Sequence, residues 1–315
     1  MVRIAILDDY QNVALSNGDW AGIPDAQVQA FQDHLADENA LSKRLEPFEV
    51  IVAMRERTPF PRSLVERLPN LKLLVTTGAR NASFDMAALK ERGITVCGTR
   101  GSGTSTAELT WGLIIGLTRR IAVEDANIRA GRWQTTLGPS LAGLTLGCLG
   151  LGNLGSQVAR VGKAFRMDVM AWSQNLTQER CEEVGARLVT KDELFAQADI
   201  VTVHLVLSDR TRGIVGEREL GMMKPSAYLV NTSRGPIVDE DALISAVRAG
   251  RIAGAGIDVY DVEPLPADHP YRTLENALLT PHIGYVTSDG YGFMYGDAAE
   301  DVKAFLSGAP VRVVQ

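Results

Sequence analysis

Short runs of Val, Ile and Leu alternate along this chain with longer stretches whose apolar residues recur every three to four positions. Val2–Leu7, Val50–Met54, Leu71–Thr76 and Ile94–Val96 read as strands, and Glu38–Leu45, Pro61–Arg67 and Phe84–Glu91 as the helices between them. Such alternation predicts βα units on a parallel sheet. Thr104–Ile128 then reads as one long helix, with Leu109, Leu113, Ile114 and Leu117 forming its buried stripe and Gly131 closing it.

A second βα series follows. Leu144–Leu149, Val169–Trp172, Ile200–His204, Tyr228–Thr232, Gly256–Tyr260 and Ala277–His282 read as strands. Leu154–Phe165, Lys191–Ala198, Glu217–Met222 and Asp239–Ala249 read as helices between them. Asp289–Leu306 is a closing helix and Val311–Val314 a last short strand. This series is a complete doubly wound α/β unit by itself. The segments on either side of it must therefore share another domain, one that is discontinuous in sequence.

Composition narrows the functional classes. With 45% hydrophobic and 22% charged residues the chain is that of an ordinary globular protein. A net charge of −6 with no basic block gives no footprint for nucleic acid. No segment approaches the apolar length that spans a bilayer, and the acidic start at Asp8 and Asp9 is unlike a secretory signal. Three scattered cysteines, Cys97, Cys148 and Cys181, form no CxxC pair, so no metal cluster is expected and a cytoplasmic location is the default. Trp133 reads as a packing residue or as part of an arm over Trp133–Leu141, His34 as a surface position and His269 as a loop position.

Gly150-Leu151-Gly152-Asn153-Leu154-Gly155 sits directly after an apolar strand and directly before an amphipathic helix. That placement suits a dinucleotide. Gly150 makes the tight turn, Gly152 admits the diphosphate, and Gly155 lets helix and strand approach closely, with Asn153 and Leu154 opening the helix whose N–H groups meet the anion. The acid that holds an adenosine ribose is expected at the end of the next strand, where this chain has Ser173-Gln174-Asn175. Nothing there repels a 2′-phosphate and no Arg or Lys lies adjacent to hold one. The candidate cofactors are NAD and NADP, and Ser173 and Asn175, able to hydrogen-bond a ribose hydroxyl, tip the balance to NAD.

Polar residues cluster where later strands end, the side on which open α/β sheets bind ligands. They are Asn231-Thr232-Ser233-Arg234-Gly235, Asp258-Val259-Tyr260-Asp261-Val262-Glu263-Pro264 and Thr280-Pro281-His282-Ile283-Gly284. Together with the glycine motif, in this order, they resemble the D-isomer-specific 2-hydroxyacid dehydrogenase family over almost the whole chain. The resemblance implies a Rossmann cofactor domain, residues 101–285, inserted into a discontinuous flavodoxin-like substrate domain, residues 1–100 and 286–315. It implies a hydride transfer between NAD(P)H and a small 2-keto or 2-hydroxy acid such as glyoxylate or hydroxypyruvate, and a homodimer. Arg234 would hold the substrate carboxylate, His282 would be the acid/base, and Glu263 would pair with that histidine. Asp258, Thr106, Thr232 and His204 would line the cofactor.

In the substrate domain, the resemblance assigns carboxylate binding to the loop holding Gly78, Ala79 and Arg80. Arg80 stands where a second glycine is common, and Ala82 where an Asp is common. Arg80 and Arg55 are therefore expected to add positive charge for a substrate with an extra anionic or polar group. Two alternatives share the family pattern: an NAD(H)-sensing protein of the corepressor type, and a phosphite dehydrogenase. The intact Arg234, Glu263 and His282 argue against the first, and the lack of a lysine near Arg80 against the second.

Overall fold

The structure, a computed structural model, describes every residue except Ser102 and Gln315. It divides into two compact units, Met1–Ser102 with Val286–Gln315, and Gly103–Tyr285. The expected domain limit at residue 315 lies outside the described residues. No helix among the described residues is long and apolar enough to cross a membrane.

The first unit is built on β1 (Val2–Ile6), β2 (Ala26–Ala30), β3 (Val50–Ala53), β4 (Leu73–Thr76) and β5 (Thr95–Gly98). All pairings are parallel, in the order β2-β1-β3-β4-β5, the flavodoxin-like doubly wound pattern. Every residue of β3 and β4 is buried, because helices cover both faces of the sheet. The helix Ser288–Leu306 returns to this unit and buries Tyr291, Met294, Tyr295, Ala298 and Val302.

The second unit carries β6 (Thr145–Leu149), β7 (Asp168–Trp172), β8 (Arg187–Leu188), β9 (Ile200–Val203), β10 (Tyr228–Asn231), β11 (Gly254–Ile257) and β12 (Ala277–Leu279). Their order is β12-β11-β10-β9-β6-β7-β8, again wholly parallel. Reversal of strand order between β6 and β9 creates the crevice where nucleotides bind in Rossmann sheets. The strongly apolar helix Ser105–Thr118 is buried along most of its length, with Trp111, Leu113, Ile114 and Leu117 in the core.

Four sequence expectations are corrected. The single helix over Thr104–Ile128 is two, Ser105–Thr118 and Ile121–Arg129, because Arg120 takes a left-handed conformation (φ 50°). The Thr118 hydroxyl, donating back to the Ile114 carbonyl at 2.8 Å, marks the end of the first. The apolar-run criterion passes over β2, whose Gln residues alternate outward at a sheet edge, and over β8, which has two residues. Val311–Val314 makes one antiparallel bridge, Cys97 to Val313, and no strand. Finally, the polar ends given to several strands lie beyond the ladders: His204, Thr232, Asp258 and His282 all sit past their last paired residue.

Single residues also differ. His34 is no free surface group, since its Nδ1 lies 2.9 Å from Oδ1 of the buried Asp8. Trp133 packs poorly within the chain, being 75% exposed, and Leu137 is 98% exposed.

Candidate active site

Both Gly150 and the start of the helix Asn153–Ala164 lie at the carboxyl end of β6. Gly150 has φ 104°, donates its N–H to the Trp172 carbonyl at 2.8 Å, and would place a Cβ 2.7 Å from the His204 carbonyl oxygen. No L side chain suits that combination. A Cβ on Gly155 would fall 2.2 Å from the Gly150 oxygen, so helix and turn touch directly. At Gly152 a Cβ would meet nothing within 4 Å. The turn is thus tight from behind and open in front, where the first N–H groups of the helix have no intrahelical acceptor. A diphosphate fits this cradle.

Past β7, Ser173 is half-buried while Gln174 and Asn175 are exposed. A basic group does reach the turn: Arg180, from the helix Gln178–Glu182, donates Nη2 to Ser156 Oγ at 2.9 Å and Nε to the Leu151 carbonyl at 3.4 Å. Adjacency in sequence did not reveal it. His204, at the end of β9, faces Thr202 Oγ1 through Nε2 at 3.0 Å. Burial pushes its pKa down to about 4, so the imidazole is neutral near pH 7.

Beyond β10 the chain is folded by its own side chains. Asn231 Nδ2 donates to the Arg234 carbonyl at 2.9 Å, and the Ser233 N–H donates to Asn231 Oδ1 at 3.0 Å. Ser233 Oγ donates to the Val203 carbonyl at 2.7 Å. The turn so formed presents Arg234, whose Nη1 donates to the Ser233 carbonyl at 2.7 Å. Thr232 is buried, its hydroxyl 2.8 Å from that of Thr110.

The ends of β11 and β12 meet. Asp258, fully buried, accepts from Thr280 Oγ1 at 2.6 Å and from the N–H groups of Ile283 at 2.8 Å and Gly284 at 2.9 Å. Burial raises its pKa and these donors oppose the shift. Thr106 Oγ1 donates to the Gly284 carbonyl at 3.0 Å, fastening the same turn from the helix side. Within the turn His282 adopts φ 52°, and its Nδ1 lies 2.6 Å from Glu263 Oε2. The other Glu263 oxygen accepts the Tyr260 N–H at 3.0 Å. With Nδ1 held by a carboxylate, Nε2 is the nitrogen that can exchange a proton. The Tyr285 ring stands edge-on to the imidazole, 5.4 Å between centroids.

The structure therefore brings Glu263 to His282 and binds Asp258 and Thr106 to the His282 turn. Arg234, His204, Gly150 and Ser173 follow neighbouring strands along the same carboxyl edge. In the first unit, Arg55 Nη1 donates to the Thr77 carbonyl at 3.4 Å and lies where a Gly78 Cβ would be, 2.1 Å away. Ala79 and Arg80 are exposed. Asn81, which the sequence reading passed over, organises this loop by donating to the Arg55 carbonyl at 2.6 Å and to Thr76 Oγ1 at 3.0 Å.

The family model for the D-isomer-specific 2-hydroxyacid dehydrogenase NAD-binding domain matches residues 111–284. A glyoxylate reductase of Aeropyrum pernix is 37% identical over 281 residues, 86% of this chain and 83% of that protein. A D-3-phosphoglycerate dehydrogenase of Archaeoglobus fulgidus is 36% identical over 275 residues, 86% of this chain but 52% of that relative, so the chain spans about half its length. The crystal structure of a phosphoglycerate oxidoreductase from Vibrio cholerae superposes with a TM-score of 0.94 at 39% identity, covering 98% of this chain and 100% of that one. The chain belongs to the D-isomer-specific 2-hydroxyacid dehydrogenase family.

Proposed function

We propose that this protein reduces a small 2-keto acid to its 2-hydroxy acid with a nicotinamide dinucleotide, using NAD in preference to NADP. The observation that carries the reading is the 2.6 Å His282–Glu263 pair on the same sheet edge as the open glycine turn. The nicotinamide supplies the hydride. Arg234 grips the substrate carboxylate with a guanidinium fork, a planar match that lysine lacks. His282 delivers the proton to the carbonyl oxygen from Nε2, and Glu263, bound to Nδ1, holds the ring in that orientation. Asp258 and Thr106 keep the histidine turn in place. Gly152, Asn153, Leu154 and the Ser173–Asn175 segment bind the dinucleotide, alongside His204 and Thr232. Gly103–Tyr285 is thus the cofactor unit, and the first unit supplies Gly78, Ala79, Arg80 and Arg55 for the substrate.

Glyoxylate and hydroxypyruvate head the substrate candidates, and the A. pernix relative's name supports the first. The sensing and phosphite alternatives gain no support from the relatives' names. We further propose a cytoplasmic homodimer. The exposed apolar residues Ile121, Ile128, Trp133 and Leu137 favour a second copy as the covering partner, and Leu137→Asp is expected to yield monomers in sedimentation.

A panel of short 2-keto acids with NADH and NADPH, followed at the nicotinamide absorbance, tests the reaction. His282→Ala is expected to lower kcat by about 10²–10⁴, the usual worth of a general acid. Unchanged turnover in that variant removes His282 from the mechanism.

A further inference from the structure

We infer that Arg180 is a positioning residue for the adenosine end of the cofactor, an inference that rests on the dinucleotide reading above. The Leu151 carbonyl, between Gly150 and Gly152, is gripped from behind by two donors. Ser156 Oγ donates to it at 3.1 Å and Arg180 Nε at 3.4 Å, while Arg180 Nη2 donates to Ser156 Oγ at 2.9 Å. Guanidinium, hydroxyl and carbonyl form a closed cycle, with Leu151 and Ser156 both buried.

This cycle changes the mechanics of the segment expected to hold the ribose. Its near end is tied to the turn by the Gly150 N–H to Trp172 carbonyl bond, 2.8 Å. Its far end enters the helix Gln178–Glu182 through the Thr177 cap, whose hydroxyl accepts from the Arg180 N–H at 3.3 Å. Arg180 then carries that end back to Leu151. Ser173, Gln174 and Asn175 thus span a gap anchored on both sides to the glycine turn. No acid occupies this segment to define the ribose position, so the anchoring of its ends does so. Arg180 also pairs with Glu183 on the outer side, a contact that plays no part in the cycle.

Arg180 acts through Leu151 and Ser156, so its loss weakens cofactor binding without slowing the chemistry. The protein is titrated with NADH, NADPH and 5′-AMP, and kcat is measured at saturating NADH. In Arg180→Ala the Kd values for NADH, NADPH and 5′-AMP are expected to rise together, about tenfold, with kcat within twofold of the parent. Arg180→Lys, which keeps the charge but lacks the planar fork, is expected to recover part of the loss. Glu183→Ala is expected to bind as the parent does. Unchanged 5′-AMP binding in Arg180→Ala overturns the inference. So does a loss confined to NADPH, which would make Arg180 a phosphate ligand, or a Glu183→Ala variant as impaired as Arg180→Ala. Should Arg180→Ala fail to fold, full parental affinity in Arg180→Lys overturns it too. A parent protein that binds neither NADH nor 5′-AMP defeats the dinucleotide reading first, a distinct result.

Discussion

Gly235 offers a perturbation of the catalytic geometry that touches no proposed catalytic side chain. It follows Arg234 directly and packs against the peptide joining Tyr260 to Asp261. An added Cβ would lie 2.2 Å from the Tyr260 carbonyl carbon, 2.3 Å from its oxygen and 2.6 Å from the Asp261 nitrogen. All three are backbone atoms, so no rotamer change relieves the clash. Ordinary contact begins near 3.4 Å, and the two segments must part by about 1.2 Å. One carries Arg234. The other carries the Tyr260 N–H that holds Glu263, and through it His282. Misplacement of about 1 Å costs on the order of 10²-fold in rate, and overpacking costs about 1–3 kcal/mol in stability. Gly235→Ala should therefore lower kcat/KM for the keto acid about 10²-fold and Tm by a few degrees. NADH affinity should fall less than kcat/KM, because β9 separates β10 from the glycine turn on β6 and Thr232 is the one proposed dinucleotide contact on the Gly235 segment. Steady-state kinetics, NADH titration and thermal melting on one preparation decide it. A folded variant with kcat/KM within about threefold of the parent refutes the argument, since the predicted 1 Å shift would then carry no cost.

Three further outcomes are expected. Gly150→Ala, which meets both φ 104° and the His204 carbonyl at 2.7 Å, should lose NADH binding in a fluorescence titration while the first unit keeps its fold. Asp301 is fully buried, and burial pushes its pKa up to about 7 although Arg312 Nε donates to it at 2.9 Å. Because its folded pKa is raised, stability is greatest below the unfolded value near 4 and falls as pH rises toward 7. Denaturant titrations should show the parent losing up to about 1.4 kcal/mol per pH unit in that window relative to Asp301→Asn, and parallel curves would exclude the effect. Arg80→Ala should lower kcat/KM for dicarboxylic keto acids more than for monocarboxylic ones, and an equal change for both would remove Arg80 from substrate selection.

Where hydrophobicity dictates position, the sequence was legible. Strands such as Val50–Ala53 and Leu73–Thr76 are buried throughout because both faces are covered, and the helix Glu38–Leu45 is legible to the residue. The edge strand Ala26–Ala30 was not legible, since its glutamines face water and mimic a loop. Chemistry followed a similar rule. The glycine motif declares itself through local spacing, but Glu263 and His282 are 19 residues apart and each alone is an ordinary turn residue. Only resemblance joined them. Arg180 has no such signal, because its reach to Leu151 depends on how a short helix packs beside another. Asp258, expected beside the cofactor, also accepts through both its oxygens from the turn that carries His282, a bracing task invisible without coordinates.

The first unit is assembled from the two ends of the chain, and this has a consequence for biogenesis. On the ribosome, Gly103–Tyr285 emerges as one uninterrupted stretch and can close its own core. The opening hundred residues close one core by themselves, around Leu45, Ile51, Leu64, Leu68 and Leu74, but the unit is not complete. A further hydrophobic face waits for Tyr291, Met294, Tyr295, Ala298 and Val302, synthesised almost two hundred residues later. Nascent chains stalled before the last helix should expose that face to chaperones while the inserted unit is already native.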